Sequence, residues 1–534
     1  MQFLIFTLFD YLASQGTAET RGIFLDMSNA ENMKLSPDVF TEMWNLKFLK
    51  FYNSQCSQWC ENDCKFRFPF GLDCFPDELV YLHWQGYPLE YLPSNFNPKK
   101  LVDLNLRHSH LTKLWEEKKD SAGLELLPFS GCFRLSELYL TDCNIHKFPN
   151  NFSCLSSVHS LCLSRNDLEY LPESIKKLHH LKSLDLKHCR KLNSLPMLPS
   201  NLQYLDAHDC ASLETVAKPM THLVVAERVQ STFIFTDCFK LNQETQENIV
   251  AHAQLKSQIL ANACLKRNNK GLIYEPLVSV SFPGNDLPLW FRHQRMGSSI
   301  ETHLPPHWCD NKFMGLSLCV VVSFKDCEDQ SNRFSVICKC KFKSESGDCI
   351  RFICTLGGWT EPCGSCGHQS RKIVSDHVFL SYNNSFHVKK CREESNEHNR
   401  CCNTAASFKF FVSDDNKRKL GSCEVVKCGM SLLYAPDEID YRLQETLENN
   451  LNEVISIKEA NQHENGSGEA VLPKRRHSFL KDEEITNGKR IKEHMVSYQG
   501  WIQTKFNHVS LCSKSKDEIT RDINAKNDIF SSQK

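Results

Sequence analysis

The amino-acid sequence predicts an α/β solenoid of short repeats, followed by an all-β sandwich and a partly disordered polar tail. Three observations support this order: an L-x-x-L-x-L unit recurs through the first half, short strands separated by Gly, Pro, Asn and Asp follow, and the composition turns polar after Pro436. These shifts divide the chain into an N-terminal leader (1–20), a solenoid (21–225), a helical linker (226–275), a β-sandwich (276–436) and a tail (437–534).

Length and composition are those of an ordinary globular protein. The chain has 534 residues, which suffices for two or three domains of ~100–200 residues each. Its formal net charge is -1, so no global positive charge attracts nucleic acid, and we expect no nucleic-acid partner. Its longest apolar stretch falls well short of the ~20 residues that span a bilayer. We therefore expect no membrane partner.

The repeats in the first half have a regular register. Units begin at Leu46, Leu79, Leu101, Leu135, Val158, Leu181 and Leu202, and the last four starts are 23, 23 and 21 residues apart. This spacing is that of leucine-rich repeats, whose period is about 20 to 29 residues. In each unit the third and fifth positions, such as Leu138 and Leu140, form the inner face of a short strand. Prolines such as Pro172 favour an irregular or 3₁₀ return segment.

In the last four units the eighth position after the start matches the repeat consensus. It is occupied by Cys143, Asn166, Cys189 and Cys210, as the repeat consensus of Asn or Cys requires. A zinc site that includes His188 and His208 is the alternative interpretation, because imidazole and thiolate are good zinc ligands. The repeat already accounts for the cysteines, so we predict a buried ladder and no metal.

The outward positions of the repeat strands give a candidate partner surface, because side chains alternate between the two faces of a strand. Extended concave surfaces are what solenoids use for binding, and mixed charges with tyrosine suit a protein ligand. A merely solvated face is the alternative. The candidate surface comprises Tyr81, His83, Asp103, Asn105, Arg107, Glu137, Tyr139, Asp185, Lys187, Tyr204, Asp206 and His208.

The second half is expected to contain one helix and then strands. A helix is predicted from Gln243 to Leu265, and the loops of the sandwich are expected between Pro283 and Pro306 and between Gly357 and Val374. The predicted strands are Leu277–Phe282, Phe313–Phe324, Phe334–Phe342, Arg351–Thr355, His377–Tyr382, Ser407–Val412 and Glu424–Tyr434.

The 27 cysteines leave two environments open. Cys338 and Cys340 alternate with lysines, which places both thiols on the inner face of one strand, about 6.6–6.8 Å apart, where a disulfide is strained. The apolar run from Phe3 to Phe9 lacks the basic flank of a signal peptide. We therefore favour free thiols in a reducing compartment over an extracellular protein with disulfides.

The sequence nominates no catalytic site and no cofactor. It contains no phosphate-binding loop of the form G-x-x-x-x-G-K-[ST], no G-x-S-x-G and no H-E-x-x-H. Cys363 and Cys366 form a C-x-x-C pair, for which zinc or redox chemistry is the alternative to a glycine-rich loop. No second ligand pair has suitable spacing, so we expect the loop and a protein that is not an enzyme.

The polar tail carries two local signals. Leu443, Leu447, Leu451 and Ile455 recur every four residues, which predicts one amphipathic helix before a disordered remainder. Two basic clusters twelve residues apart fit a bipartite nuclear import signal, with ordinary solvated charge as the alternative. The import signal would consist of Arg475, Arg476, Lys489, Arg490 and Lys492.

Two stretches resemble plant TIR, nucleotide-binding, leucine-rich-repeat disease resistance proteins. The first contains RGIFLDMS at 21–28, MWNLKFLKFY at 43–52 and LHW at 82–84, and is similar to the entry into that family's repeats. The second contains FPGNDLPLWF at 282–291 and LPPHW at 304–308, and is similar to the jelly-roll/Ig-like domain that follows the repeats. The resemblance covers roughly residues 12 to 436.

This resemblance implies a non-enzymatic recognition module of plant innate immunity. The protein ligand would be a pathogen effector or another immune receptor, bound by the repeats and the C-terminal β-domain. The family's TIR and nucleotide-binding domains have no counterpart here, so we do not expect signalling from this chain alone. We expect a cytoplasmic protein with the nucleus as a second location. An extracellular, disulfide-containing leucine-rich-repeat binding protein is the alternative.

Overall fold

The structure is a computed structural model of the 534-residue chain. It describes residues 17–28, 33–53, 66–93, 95–111, 131–148, 155–217, 230–266, 277–305, 308, 312–324, 333–344, 349–360, 375–384, 403–414, 418–421 and 423–434. The leader up to residue 16, the C-x-x-C pair and the whole tail with its predicted helix and import signal lie outside these ranges. No helix among the described residues combines the length and apolar composition needed to cross a membrane.

The repeat region is a row of short parallel strands, one for each repeat, paired in register along the chain. Short parallel pairs, β2 (Met33–Lys34) with β4 (Phe66–Arg67) and β10 (Ser194–Leu195) with β12 (Thr215–Val216), lie outside this row. The row consists of β1 (Gly22–Asp26), β3 (Phe48–Tyr52), β5 (Tyr81–Trp84), β6 (Asp103–Asn105), β7 (Glu137–Tyr139), β8 (Ser160–Cys162), β9 (Ser183–Asp185), β11 (Tyr204–Asp206) and β13 (Ser231–Ile234).

The leucines of the repeat consensus fill the interior, as the register predicts. Leu138, Leu140, Leu163 and Leu184 have no exposed surface. The return segments are irregular or 3₁₀, with 3₁₀ turns at Pro98–Lys100 and Glu173–Lys177. Burying a leucine side chain stabilises the fold by about 1.5–3 kcal/mol, so the stacked leucines supply most of the driving force for the array.

The eighth position of each repeat forms the predicted ladder. Asn166 donates from Nδ2 to the carbonyl oxygens of Leu140 (2.7 Å) and Leu163 (2.9 Å), and its Oδ1 accepts from the N–H groups of Cys143 and Ile145, both at 3.1 Å. In four other repeats a buried thiol, that of Cys143, Cys189, Cys210 or Cys238, donates to a carbonyl oxygen of the preceding repeat, as Cys143 does to Leu106 at 2.9 Å. Burial raises the pKa of Cys143 to about 12, so this thiol stays protonated.

The parallel row continues past the predicted end of the solenoid at residue 225. β13 pairs in parallel with β11, with Leu205 opposite Phe233, and lies inside the segment assigned to a helical linker. Phe233, Phe235 and Cys238 occupy the third, fifth and eighth positions after Gln230, so this is a further repeat in which phenylalanine replaces leucine. The leucine pattern stops there, but the repeat geometry does not.

The β-domain begins as an extension of the same sheet. Its first strand pairs in parallel with β13 and antiparallel with β20, which gives one sheet of 14 strands. A second, four-stranded sheet has the order β16-β21-β18-β19. The strands of the β-domain are β14 (Val278–Pro283), β15 (His293–Met296), β16 (Ser299–His303), β17 (Phe313–Ser323), β18 (Arg333–Ser344), β19 (Cys349–Thr360), β20 (His377–Asn383), β21 (Asn403–Ser413) and β22 (Glu424–Tyr434).

The two sheets of the β-domain enclose their own core, in which Leu318, Val336, Phe408 and Met430 are buried. All seven predicted strands are present, and β22 has the predicted bounds. The segment between Pro283 and Pro306 was expected to be a loop, but it contains β15 and β16. Because exposed residues dominate these two edge strands, they lack the apolar pattern that marks the others. A jelly-roll/Ig-like topology stays a prediction.

Buried cysteines of both halves, such as Cys143, Cys189, Cys338 and Cys340, are free thiols. Cys338 and Cys340 are buried on the inner face of β18, as the alternation predicts, with their sulfur atoms 3.7 Å apart. Cys354 of β19 lies 3.9 Å from Cys340. Burial raises the pKa of the Cys338 thiol, which disfavours the reactive thiolate.

A long helix, α1 (Gln243–Lys266), packs against β14, β17 and β20 of the shared sheet. It begins at an N-cap, because Asn242 Oδ1 accepts from the N–H of Thr245 at 2.8 Å. Ile249, Ala253 and Leu260 are buried. The predicted helix, Gln243 to Leu265, differs from the observed one by a single residue.

The same helix buries a titratable side chain, His252, whose ring stacks on Phe233 at 5.5 Å. Burial and then the nearby Lys256 lower the pKa of His252 to about 4. An unfolded histidine titrates near pH 6.5, so the unfolded chain binds the extra proton between about pH 6.5 and 4, and stability falls as pH falls through this window.

We expect His252 to cost the fold about 2 kcal/mol between pH 7 and pH 5. Urea unfolding of wild type and His252→Leu at both pH values measures this, because the variant lacks the titrating group. A pH dependence that is equally steep in the variant would contradict the assignment to His252.

Candidate functional site

The concave face of the solenoid is built from side chains that alternate with the buried leucines of the strands. We use the term concave face for the twelve outward residues named above. In the parallel register they form rows: Tyr81, Asp103, Glu137 and Tyr204 share one row, and His83, Asn105, Tyr139, Asp185 and Asp206 share the next. Arg107, Lys187 and His208 follow directly after their strands. The register therefore brings together residues that are far apart in sequence.

The first cluster on the concave face links β5 to β6. Tyr81 Oη lies 2.6 Å from His83 Nδ1, and His83 Nε2 lies 2.7 Å from Asp103 Oδ1. Burial lowers the pKa of His83, although the Asp103 carboxylate opposes this. A neutral imidazole fits both contacts, because Nε2–H donates to Asp103 while Nδ1 accepts from the Tyr81 hydroxyl. The cluster fixes the orientation of Tyr81.

The second cluster combines a cation, an aromatic ring and a carboxylate. The Arg107 guanidinium lies 4.7 Å from the centre of the Tyr139 ring, and the Tyr139 hydroxyl donates to Glu137 at 2.9 Å. All three side chains are partly exposed. Burial raises the pKa of Glu137, while its hydrogen bond from Tyr139 opposes that rise. Arginine and tyrosine held in this way resemble the anchors of protein interfaces.

The third cluster joins β9 and β11 through one lysine. Lys187 Nζ lies 3.4 Å from Asp185 Oδ2 and 3.6 Å from Asp206 Oδ2, and the Tyr204 hydroxyl donates to Asp206 at 2.8 Å. Burial alone would lower the pKa of Lys187, but the two carboxylates together raise it. Burial raises the pKa of Asp206, and Lys187 opposes that rise. Lys187 therefore neutralises the buried Asp206 carboxylate, and its partly exposed ammonium group also contributes positive charge to the concave face.

Three of the twelve residues are not available as exposed contacts. Asp103, Asp206 and His208 are 2%, 3% and 5% exposed, so the expectation of outward, accessible side chains is wrong for them. The cause is crowding from neighbouring repeats: Asp103 is covered by His83, and His208 Nδ1 lies 2.7 Å from Thr236 Oγ1 of the additional repeat. Asp103 contacts His83, and Asp206 contacts Tyr204 and Lys187, so these two buried acids orient more exposed neighbours.

The rim beside the concave face has a left-handed residue in each turn. His108, Asp142, Arg165, His188 and Asp209 have φ between 54° and 59°, at the seventh position of successive repeats. Paired turns bond across repeats: His108 Nδ1 lies 3.1 Å from Asp142 Oδ2, and His188 Nδ1 lies 3.0 Å from Asp209 Oδ2. Side-chain pairs therefore offset the cost of about 1–3 kcal/mol for each strained backbone position.

The rim ends at a buried contact with the β-domain. The N–H of Asp237, the last left-handed residue of the row, donates to Nε2 of His377 in β20 at 3.1 Å. His377 has no exposed surface, and its Nδ1 lies 3.1 Å from the Ser375 carbonyl oxygen. These contacts hold the last repeat turn against the β-domain.

Sequence reasoning missed the middle of the concave face, where β8 carries small residues. Ser160 and Cys162 fill the two rows there, and the Cys162 thiol lies 3.6 Å from Asp185 Oδ2. Both residues flank the buried Leu161, and this alternation was the available signal. Serine and cysteine are, however, not typical anchors of protein interfaces. Within the described ranges no group of three His, Cys, Asp or Glu side chains is placed to hold a metal ion.

Two family models match parts of the chain. The C-JID domain matches residues 282–439, which include the β-domain strands from β15 onward. A Leucine Rich Repeat matches residues 100–119, around the strand that carries Asp103 and Asn105.

Full-length relatives are found among proteins of Arabidopsis thaliana. Disease resistance protein RPP2B is 40% identical, with a match over 91% of this chain and 56% of the relative. Disease resistance-like protein DSC1 is 37% identical over 80% of this chain and 51% of its own length. Disease resistance protein RPS4 is 34% identical over 79% and 46%. The chain thus spans about half the length of these relatives.

Proposed function

Because this chain is homologous to the leucine-rich-repeat and C-JID regions of plant disease resistance proteins, we propose that it is a non-enzymatic protein-recognition module of plant innate immunity. Its ligand in this proposal is a pathogen effector or another immune receptor. The binding surface is the exposed part of the concave face, supported by the β-domain.

The observation that carries the proposal is the combination of partly exposed anchors with buried acids that orient them. Arg107 and Tyr139 stack on one another, and Lys187 is held by Asp185 and the buried Asp206. Preorganised aromatic and cationic side chains lose little conformational entropy on binding, which favours their use as interface anchors. A merely solvated face does not require such fixed contacts.

The alternative, an extracellular binding protein stabilised by disulfides, is less favoured. Buried cysteines of the described ranges such as Cys189 and Cys210 are free of disulfides, and their thiols already donate hydrogen bonds to carbonyl oxygens. A cytoplasmic location fits this use of cysteine. Nuclear entry through Arg475, Arg476, Lys489, Arg490 and Lys492 is a further proposal, tested by the distribution of a fluorescent fusion in which the last three are neutralised.

The double variant Arg107→Glu, Glu137→Lys is expected to abolish capture of the protein ligand from infected plant tissue. It destroys the stack on Tyr139 and reverses both charges without changing the net charge. Truncating an interface anchor costs ~2 kcal/mol or more of binding energy, whereas partly exposed positions usually change stability by far less. Asp103 and Lys187 stay unchanged, since Asp103 is buried and Lys187 neutralises the buried Asp206.

The matched control is Glu173→Lys with Lys176→Glu, which makes the same reversal on an exposed 3₁₀ turn away from the concave strands. Quantitative mass spectrometry compares the captured proteins for wild type and both variants, and a thermal melt checks folding. If wild type and the concave variant capture the same proteins, the concave face is not the recognition surface.

A further inference from the structure

The outer face of the four-stranded sheet carries a dense cluster of positive charge. Lys339, Lys341 and Lys343 alternate along β18 with the buried residues of the sandwich core, so their side chains lie on the opposite face. Arg351 of β19 and Lys409 of β21 lie on the same face, and all five side chains are exposed. We call these five residues the basic face.

The register of the sheet places like charges directly opposite each other. Lys339 pairs with Lys409 of β21, and Lys341 pairs with Arg351 of β19. Neighbouring strands lie about 4.8 Å apart, and like charges directly opposite destabilise a sheet. These opposed charges therefore do not stabilise the folded state.

Local compensation of this charge is weak. Lys339, Lys341, Lys343 and Lys409 form no ion pair with a carboxylate in the described part of the chain. The Lys339 ammonium lies 4.9 Å from the Phe411 ring centre, a contact that orients the lysine and leaves its charge in place. The edge strand β16 contributes one exposed acid, Glu301, opposite Ser407. Among the described residues, the four lysines of the face therefore outnumber its one exposed acid.

An apolar side chain lies inside the basic face. Ile353 of β19 is directly opposite Lys339 and is 52% exposed. An apolar centre with a charged rim is the arrangement of protein interfaces. Single-stranded nucleic acid binds best where bases stack on exposed aromatic rings, and the ring of Phe411 on this face is only partly exposed and covered by Lys339. The composition thus favours a protein ligand over nucleic acid.

We propose that the basic face binds an acidic protein segment that inserts an apolar side chain against Ile353, with carboxylates paired to Lys339, Lys341 and Lys409. The lysines that repel one another in the unbound protein pair with carboxylates of the ligand in the complex. This surface rests on the proposed recognition function and adds a second contact to it, on residues separate from the concave face.

The test uses the full chain and a short fluorescent peptide of glutamates around one central leucine. Fluorescence polarisation is expected to show binding that weakens as salt is raised, because exposed charges are screened. The double variant Lys339→Gln, Lys409→Gln should bind the peptide at least tenfold more weakly, while its Tm stays equal or rises because the repulsion between opposed lysines is gone. Ile353→Ser should lose the preference for the peptide with leucine over one with a central glycine.

The matched control, Lys176→Gln with Lys177→Gln on the exposed 3₁₀ turn, removes two charges elsewhere and should bind like wild type. Peptide affinity unchanged by the Lys339 and Lys409 changes would overturn the proposal, as would a fall in Tm that accounts for the loss. Tighter, equally lysine-dependent binding of a single-stranded oligonucleotide or of anionic lipid vesicles would also overturn it. The concave variant Arg107→Glu, Glu137→Lys should still bind the peptide, which separates failure here from failure of the concave site.

Discussion

Replacing Leu163 by aspartate is expected to unfold the repeat region. Leu163 is fully buried in the hydrophobic core of the solenoid, so a carboxylate at this position is removed from solvent. Losing the leucine costs about 2–5 kcal/mol, and burying an unpaired charge adds to that cost, against a total stability of about 5–15 kcal/mol for a typical domain. Neighbouring repeats depend on one another for their cores, so the damage spreads along the array.

Circular dichroism during heating measures this effect, and Leu184→Asp, one repeat later, should behave alike. Lys182→Asp is the matched control, because Lys182 is exposed beside the same repeat and its replacement should change stability by only about 0.5 kcal/mol. A cooperative melt of Leu163→Asp within a few degrees of wild type would show that the repeat register is wrong.

Replacing Asn166 by leucine is expected to destabilise the protein by about 3 kcal/mol or more, because a side chain of similar size without polar atoms leaves buried N–H groups unpaired. The N–H groups of Cys143 and Ile145 lose their acceptor, and the carbonyl oxygen of Leu140 loses a donor. Urea unfolding gives the change in the free energy of unfolding.

A graded comparison separates hydrogen bonding from packing at this position. Asn166→Cys should fall between wild type and Asn166→Leu, since Cys143, Cys189 and Cys210 each donate one thiol hydrogen bond from the equivalent position. If the cysteine and leucine variants are equally unstable, the thiols of the ladder contribute shape and not hydrogen bonds.

Much of the fold follows from local sequence pattern. The repeat register predicts which leucines are buried, and the Asn or Cys position predicts the ladder, because each repeat applies the same geometry to the same spacing. The long strands of the β-domain are equally visible, since Phe313–Ser323 and Glu424–Tyr434 contain apolar runs or alternations that few other structures explain.

Features set by pairing between distant residues were not predictable in this way. That β14 pairs with β13 depends on contacts across the linker and α1, and no periodicity in either strand encodes its neighbour. The edge strands β15 and β16 are exposed and polar, so nothing in their composition distinguishes them from a loop. The opposition of Lys339 and Lys409 likewise exists only once β18 and β21 are paired.

The strand positions of the candidate surface follow from the sequence pattern, but the exposure of its side chains does not. Alternation correctly assigned Asp103 and Asp206 to strand positions opposite the leucine core, but it cannot show that His83 covers one and that Lys187 and Tyr204 bond the other. Burial of a polar side chain depends on the size of its neighbours in adjacent repeats. The binding role of these residues stays a prediction.

The shared sheet has a mechanical consequence. Since β13 and β14 are hydrogen-bonded neighbours, no flexible joint separates the last repeat from the β-domain, and their relative angle is set by strand twist. A partner that reaches both the concave face and the basic face meets two attachment points on one stiff frame. Its second contact then forms without the entropy loss of ordering a flexible tether, because the distance between the two binding surfaces is already fixed.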